Sequence, residues 1–150
     1  AALARIQYRS VREAAVRAYA EEQVAAWMPE VRPAEWYEAR AADGRTTFVA
    51  VDDDDAIVGS IDLAADGHID HLYCAPEVIG HGVGFRLWAA VEAEARGRSM
   101  PRLYVEASEL ALPFFTAKGF ALLHRHDFTM NGVAIHNYAM EKCLSALTGP

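Results

Sequence analysis

The sequence has little cysteine and no long apolar run. Its two cysteines, Cys74 and Cys143, stand far apart among 150 residues, which excludes a multi-disulfide framework and predicts reduced thiols. No apolar stretch approaches the roughly 20 residues that cross a bilayer, and no basic segment followed by an apolar one opens the chain. The sequence therefore predicts a cytoplasmic protein that neither spans a membrane nor is secreted.

Positive charge is also scarce. Fourteen lysines and arginines stand against 21 aspartates and glutamates, which gives a formal net charge of −7. This field repels polyphosphates, so general nucleic-acid binding is disfavoured, whereas a small cationic or amine substrate suits it. The length and an apolar share of 53% predict one domain, residues 1–150, with one sizeable core.

The N-terminal third of the chain has a helical pattern. Apolar residues recur at helical spacing over Ala1–Tyr19, without glycine or proline, and predict one amphipathic helix. A second helical piece ends near Pro29. A third begins around Pro33, which suits a first-turn position, and runs to about Ala42.

The rest of the chain combines strands and helices into a predicted mixed α+β fold. Four consecutive aspartates, residues 52–55, indicate a solvated turn rather than a metal site. The dipeptide Asn131-Gly132 predicts a two-residue hairpin turn, because both residues tolerate positive φ. The predicted strands are Thr46–Val51, Ala56–Leu63, His68–Cys74, Leu103–Ala107, Ala121–Met130 and Val133–Lys142, and the predicted helices are Phe85–Arg96 and Leu110–Lys118.

A glycine-rich turn joins a predicted strand to a predicted helix. Gly80, Gly82 and Gly84 leave room for a ligand to approach backbone N–H groups at a helix N-terminus, where the helix dipole favours an anion. No Lys-Ser or Lys-Thr follows, so the turn is not a P-loop, and the antiparallel strands before it make a poor dinucleotide fingerprint. A plain tight turn is an equally open interpretation.

Two segments resemble the GNAT superfamily of acetyl-CoA-dependent N-acetyltransferases. They are residues 72–84, with a strand, a proline and the glycine loop, and residues 106–120, similar to the second conserved block of the family. The resemblance implies a central mixed, mostly antiparallel twisted sheet of about six strands flanked by four to five helices, with splayed strands forming a CoA cleft. It also implies that the first strand of the family is missing or dispensable here.

The resemblance implies acetyl-CoA as cosubstrate and assigns residues to it. The backbone at Leu72 and Cys74 would bind the acetyl carbonyl and the pantetheine arm, and Ser108 would contact that arm. Ile79 stands where the family usually has Gln or Arg, and Phe115 where many members have a tyrosine that protonates the leaving thiolate. The implied cofactor residues are Leu72, Tyr73, Cys74, Ile79, Gly80, His81, Gly82, Val83, Gly84, Ser108, Phe114, Phe115 and Lys118, with core packing as the other interpretation of the two phenylalanines.

Two candidate catalytic residues precede the expected thioester-binding amide. His68 and Asp70 alternate with Leu72 on one face of the predicted strand, in positions from which family members present a base. An alkylamine is mostly protonated at pH 7, so acetyl transfer needs such a base. We prefer Asp70, because an acidic residue in a sheet interior is costly unless it is paired or used, and His68 is a candidate partner. Both residues could instead be purely structural.

No metal is expected. His68, His71, Cys74 and His81 carry ligand chemistry for zinc, but side-chain alternation directs His71 away from His68 and Cys74. Cys74 is the obvious nucleophile for a covalent acetyl-enzyme, yet its strand position suits a small buried side chain better.

The acceptor pocket is predicted from the hairpin and the N-terminal helices. Counting outward from Asn131-Gly132 pairs His126 with Asn137, and Trp27 is a candidate wall residue, although core packing explains these positions as well. The resulting hypothesis is direct transfer of acetyl to the primary amine of a small molecule. The alternatives are a CoA-binding regulatory module without turnover and an acetyltransferase acting on a protein N-terminus or lysine. Exposed sheet edges favour a homodimer.

Overall fold

The computed structural model describes residues 2–144, which form a mixed α+β fold. Five α-helices and seven strands lie within this range. The helices are α1 (Ala2–Arg9), α2 (Glu21–Trp27), α3 (Ala34–Ala41), α4 (Val83–Gly97) and α5 (Leu112–Ala117). The strands are β1 (Thr46–Val51), β2 (Ile57–Leu63), β3 (His68–Ile69), β4 (Leu72–Cys74), β5 (Arg102–Ala107), β6 (Ala121–Met130) and β7 (Val133–Cys143).

The predicted helix over Ala1–Tyr19 is wrong beyond Arg9. A π-helical turn, Ser10–Ala14, and a 3₁₀ turn, Ala15–Arg17, follow α1. Val11, Ala15 and Tyr19 are buried in a second core cluster with residues of α2 and β7. A spacing of four exceeds the 3.6 residues of an α-helical turn, and the wider π turn keeps these side chains on one face.

The predicted strand His68–Cys74 is also wrong as one strand. It is split into β3 and β4, which belong to different sheets. The buried Asp62 side chain causes the split, because its Oδ1 accepts the backbone N–H groups of Asp70 and His71 at 3.0 Å each. Those two amides therefore bond to a carboxylate instead of a neighbouring strand, and Arg45 Nη1 holds the other carboxylate oxygen at 3.0 Å.

The split opens the sheet into two parts. The first sheet has the order β1-β2-β4 and is antiparallel, with Ser60 opposite Tyr73. The second has the order β3-β5-β7-β6, in which β3 runs parallel to β5 and the other pairs are antiparallel. Strands β4 and β5 are thus neighbours without hydrogen-bonded pairing. The expected splayed strands are confirmed, and the split accounts for a strand count of seven rather than six.

Helix α4 covers one face of the sheets. Its Leu87, Trp88, Val91 and Ala95 are buried in the main core together with Ile61 from β2 and side chains of β5 and α5. The helix predicted over Phe85–Arg96 is confirmed. None of the helices in the described range is long and apolar enough to cross a membrane. The expectation of a missing first strand concerns chain before α1 and stays a prediction.

The hairpin predicted at Asn131-Gly132 is confirmed. Asn131 has φ +50° and Gly132 φ +80°, and the register places Met130 opposite Val133 and His126 opposite Asn137. Strand β6 forms one edge of its sheet and is exposed along most of its length. This edge supports the expectation of a homodimer, which stays a prediction.

His71 lies at the split with its imidazole largely buried. The ring stacks on Trp36 at a centroid distance of 5.5 Å, and its Nδ1 lies 3.7 Å from Asp62 Oδ2. Burial lowers the pKa of His71 from 6.5 to about 4, against the attraction of Asp62. The positive charges of Arg40, Arg32 and Arg45 contribute to this lowering of the pKa, so His71 is neutral at pH 7.

A substitution of Asp62 tests whether its carboxylate stabilises the split between β3 and β4. Replacing Asp62 with Ala leaves two buried N–H groups without their acceptor and Arg45 without a partner, so we expect the free energy of unfolding to fall by about 3 kcal/mol. Urea unfolding followed by circular dichroism measures the change. Asp127→Ala is the matched control, because Asp127 is exposed and expected to change stability by less than about 0.5 kcal/mol. Equal effects of the two substitutions would contradict the role given to Asp62.

His71 makes stability depend on pH. In the unfolded chain its pKa is near 6.5, so between pH 6.5 and 4 the unfolded state binds a proton that the folded state resists. Stability should therefore fall as the pH decreases through this window, with uptake of about one proton on unfolding. His71→Gln should make the slope shallower, and His124→Gln, at an exposed position, should not. Unfolding midpoints from pH 7.5 to 4 measure both slopes.

Candidate functional site

Two cavities meet where β4 and β5 separate. The larger, which we call the cleft, has a volume of about 510 Å³ and extends along β4, the glycine turn and α5. The smaller, the inner cavity, has a volume of about 230 Å³ and lies between the split strand, β7 and the connections around α2. Five residues line both, so the two spaces share one wall: Trp27, Leu72, Tyr73, Ser108 and Ala111.

The glycine turn gives the cleft an anion-binding end. Gly80 has φ +87° and Gly82 has φ +84°, a backbone region that favours glycine, and nothing lies within 4 Å of where either Cβ would be. Helix α4 begins at Val83, so the N–H groups of its first turn have no intrahelical acceptor. Backbone donors, open space and the positive end of a 15-residue helix together suit a phosphate group.

Two cationic side chains line the cleft. Lys118 Nζ lies 4.2 Å above the centre of the Phe85 ring, and Phe85 itself is 57% exposed along the cleft. Arg17, from the 3₁₀ turn after α1, lines the cleft as well. Sequence reasoning did not select Arg17, because the continuous helix predicted there gave no reason to place it at a ligand.

Most of the predicted cofactor residues lie together. Val83, in contrast, packs against the main core, and Phe115 is 1% exposed between Phe114 and Phe120 and reaches only the inner cavity. His81 is exposed at the glycine turn and is not part of the lining. The predicted residues that line the cleft are Leu72, Tyr73, Cys74, Ile79, Gly80, Gly82, Gly84, Ser108, Phe114 and Lys118.

Cys74 faces the cleft as a protonated thiol. Burial raises the pKa of the Cys74 thiol above its ordinary value. Since the thiolate is the reactive form of cysteine, this environment disfavours nucleophilic attack by Cys74.

The inner cavity contains the predicted base Asp70, in an ion-pair network. The Asp70 carboxylate contacts Arg40 and accepts a hydrogen bond from Arg45 Nη1 at 3.3 Å. Two guanidinium groups therefore occupy the Asp70 carboxylate. Asp62, Asp70 and His71 offer ligand atoms within 4.8 Å of one another, but the two arginines occupy the carboxylates that a cation would need.

His68 binds a different partner. Its Nε2 lies 3.0 Å from Glu106 Oε1, and its ring stacks on Tyr104 at 4.6 Å. The hydrogen bond from His68 lowers the pKa of Glu106 below its ordinary value. Glu106 lines the inner cavity, whereas His68 does not, so His68 reaches that space through Glu106. Because the strand is split, His68 and Asp70 engage different groups instead of each other.

A histidine that sequence reasoning missed also lines the inner cavity. His136 Nε2 lies 2.5 Å from Glu109 Oε2, and Tyr138 donates to the other oxygen of Glu109. Tyr19 connects the same elements, because its hydroxyl donates to the His136 carbonyl and accepts the Glu109 N–H. Glu109 and His136 are 27 residues apart, and no local pattern indicates their contact.

The predicted acceptor residues are partly brought together. Trp27 and Asn137 line the inner cavity, and Trp27 also reaches the cleft. His126 Nδ1 lies 3.2 Å from Asn137 Oδ1, and the ring stacks on Phe128, but His126 is not part of the lining. Arg32 lines the same cavity and was not among the predicted residues.

The chain is similar to known acetyltransferases. Residues 15–142 match the family model described as an acetyltransferase (GNAT) domain, whereas no curated protein matches. A solved structure titled GCN5-related N-acetyltransferase: aminotransferase, class-II, from Rhodopseudomonas palustris is 33% identical, with a TM-score of 0.83 over 94% of this chain and 87% of that one.

Two more distant structures share the fold. The ribosomal-protein-alanine N-acetyltransferase from Brucella melitensis is 22% identical, with a TM-score of 0.73 over 95% of this chain and 93% of that one. The phosphinothricin acetyltransferase from Sinorhizobium meliloti, solved with acetyl-CoA, is 18% identical, with a TM-score of 0.75 over 99% of this chain and 85% of that one. The family match and the 33% identical structure show that the chain belongs to the GNAT family of acetyltransferases.

Proposed function

We propose that this protein is a cytoplasmic N-acetyltransferase that transfers the acetyl group of acetyl-CoA to the primary amine of a small molecule. The observation that carries the proposal is the wall shared by the two cavities at the split between β4 and β5. A group-transfer enzyme must bring two substrates into contact while excluding water, and two adjoining cavities of unequal size suit this task.

The cleft suits acetyl-CoA along its length. The amides at Gly82–Gly84 and the ammonium of Lys118 offer donors and positive charge for phosphate oxygens. The backbone of β4 lacks a pairing partner on the β5 side, so its N–H and C=O groups are open to an extended pantetheine arm. Related folds from Sinorhizobium meliloti, Salmonella typhimurium and Thermoplasma acidophilum were solved with acetyl-CoA or CoA.

The chemistry follows from the thioester. An amine nitrogen in the inner cavity attacks the acetyl carbon, the new N–C bond forms, and the C–S bond breaks to release CoA thiolate. A neutral amine nitrogen loses one proton as the amide forms, and the thiolate gains one. An amine that arrives as an ammonium ion loses one further proton before it attacks. The protonated, half-buried Cys74 argues for this direct attack over an acetyl-enzyme, and buried Phe115 has no hydroxyl to donate a proton to the thiolate.

We propose Glu106 as the group that accepts the proton from the amine. Asp70 is bound by Arg40 and Arg45, whereas Glu106 accepts a side-chain hydrogen bond only from His68 among the residues that the structure describes. His68 fixes the carboxylate and is a positioning residue. Asp70 then serves to hold the two arginines, unlike its predicted role as the base.

A test of cofactor binding comes first. Gly82→Glu places a bulky anion where the phosphates would lie, so calorimetric titration with acetyl-CoA should show binding to the unchanged protein and none to the variant. Gly132→Glu is the matched control, since Gly132 also has positive φ and open space but lies in the β6–β7 turn. Absence of binding to the unchanged protein would refute the proposal. Binding without CoA release across a panel of amines would instead favour the regulatory module.

A second test determines whether Glu106 or Asp70 accepts the proton from the amine. Once an acceptor is found, Glu106→Gln should lower kcat by about 10²- to 10⁴-fold, the usual contribution of a general base. Asp70→Asn should mainly reduce stability, because it weakens the bonds to Arg40 and Arg45. If Asp70→Asn, still folded, lost kcat while Glu106→Gln kept it, Asp70 would be the base as the sequence suggested.

A further inference from the structure

Arg32 gives the inner cavity a positive charge that the proposed chemistry does not use. We propose that Arg32 binds a carboxylate of the acceptor, and that the acceptor is therefore an amino-acid-like zwitterion, with its amine and its acid group on one small molecule. This inference rests on the proposed function and names the substrate class of the same site.

The environment of Arg32 separates it from the neighbouring arginines. Arg40 and Arg45 each contact a carboxylate of Asp62 or Asp70. Arg32 forms no ion pair or side-chain hydrogen bond with any residue from 2 to 144, although it is half-buried. Its guanidinium carbon lies 4.3 Å from the centre of the Trp36 ring, a contact that uses no N–H donor and leaves the donors for another partner.

An opposite charge lies elsewhere in the same cavity. Arg32 and Glu106 both line it and are not within ion-pair distance of each other. Of the charged groups that line the cavity, Asp70 is bound by two arginines, and His136 is bound by Glu109. Glu106 is paired with His68 through Oε1 alone among the residues that the structure describes, so its Oε2 is left for a ligand. This oxygen and the Arg32 guanidinium suit the ammonium and carboxylate of a single zwitterion. A diamine would bring its second cation towards Arg32, which disfavours that class.

The size of the inner cavity and its apolar lining further restrict the class of acceptor. A volume of about 230 Å³ admits a molecule of amino-acid size. Phe128, Met130 and Ile135 form an apolar wall beside the charged groups, which suits an uncharged, apolar side chain. A guanidinium recognises a carboxylate through two parallel N–H donors, so recognition requires both the charge and the planar fork of arginine.

The test compares matched acceptors. CoA release is measured with leucine and other apolar amino acids, with their amides, and with the corresponding amines that lack the carboxylate. The unchanged protein should prefer the acids by at least about tenfold in kcat/KM, because each amide or amine leaves the guanidinium unpaired. Equal use of the acids and the carboxylate-free amines would overturn the proposal.

Variants of Arg32 link the preference to this residue. Arg32→Gln should lower kcat/KM for the amino acids by about 10- to 100-fold and leave the carboxylate-free amines within about twofold, whereas Arg32→Lys should retain an intermediate preference. Arg5→Gln, at an exposed position of α1, should change neither. Equal losses for both acceptor classes in a folded Arg32→Gln protein would assign Arg32 a general structural role and overturn the inference.

A binding measurement distinguishes this inference from the proposed function. Calorimetric titration of the protein, saturated with CoA, with the amino acids should show binding that Arg32→Gln abolishes. If the amino acids bind in this way but no amine is acetylated, the proposed function fails and the carboxylate site stands. If carboxylate-free amines are acetylated and the amino acids neither bind nor react, the function stands and the inference fails.

Discussion

The fold depends on one buried carboxylate. Asp62, on the central strand of the first sheet, receives the N–H groups of Asp70 and His71 and so removes two residues from regular strand pairing. Without this interaction, we would expect the segment from His68 to Cys74 to pair throughout with its neighbours, as the sequence predicts. With it, β3 stays beside β5 while β4 stays beside β2, and the gap between them becomes usable space.

The gap contains positively charged groups, although the net charge of the protein is negative. The chain carries a net charge of −7, yet the cleft has Lys118, Arg17 and a helix N-terminus, and the inner cavity has Arg32. Screening limits the influence of distant surface acids to about 10 Å at ordinary ionic strength, so the local groups decide which ligand binds. The net charge of the chain therefore predicts the electrostatic field at the surface, but not the charges that a ligand meets in the cleft or the inner cavity.

Local sequence signals predicted local structure. The Asn131-Gly132 turn and the helix α4 each depend on a few neighbouring residues, and both predictions agree with the structure. The resemblance in residues 72–84 and 106–120 then supplied the arrangement of the cleft, which no periodicity shows. Phe114, Ser108 and Lys118 do lie along it.

Contacts between residues that are distant in the sequence could not be predicted from it. The split at Asp70 and His71 is caused by a residue eight positions earlier on another strand, and simple alternation from His68 to Cys74 gave no sign of it. The contact of His136 with Glu109 and the availability of Arg32 likewise depend on tertiary placement.

The shared wall of Trp27, Leu72, Tyr73, Ser108 and Ala111 has an evolutionary consequence. A substitution there that makes room for a longer acyl chain also reshapes the space for the acceptor. Selection for a new donor and selection for a new acceptor are therefore coupled at these five positions. Change in acceptor preference alone is expected at positions such as Arg32 and Phe128, which line only the inner cavity.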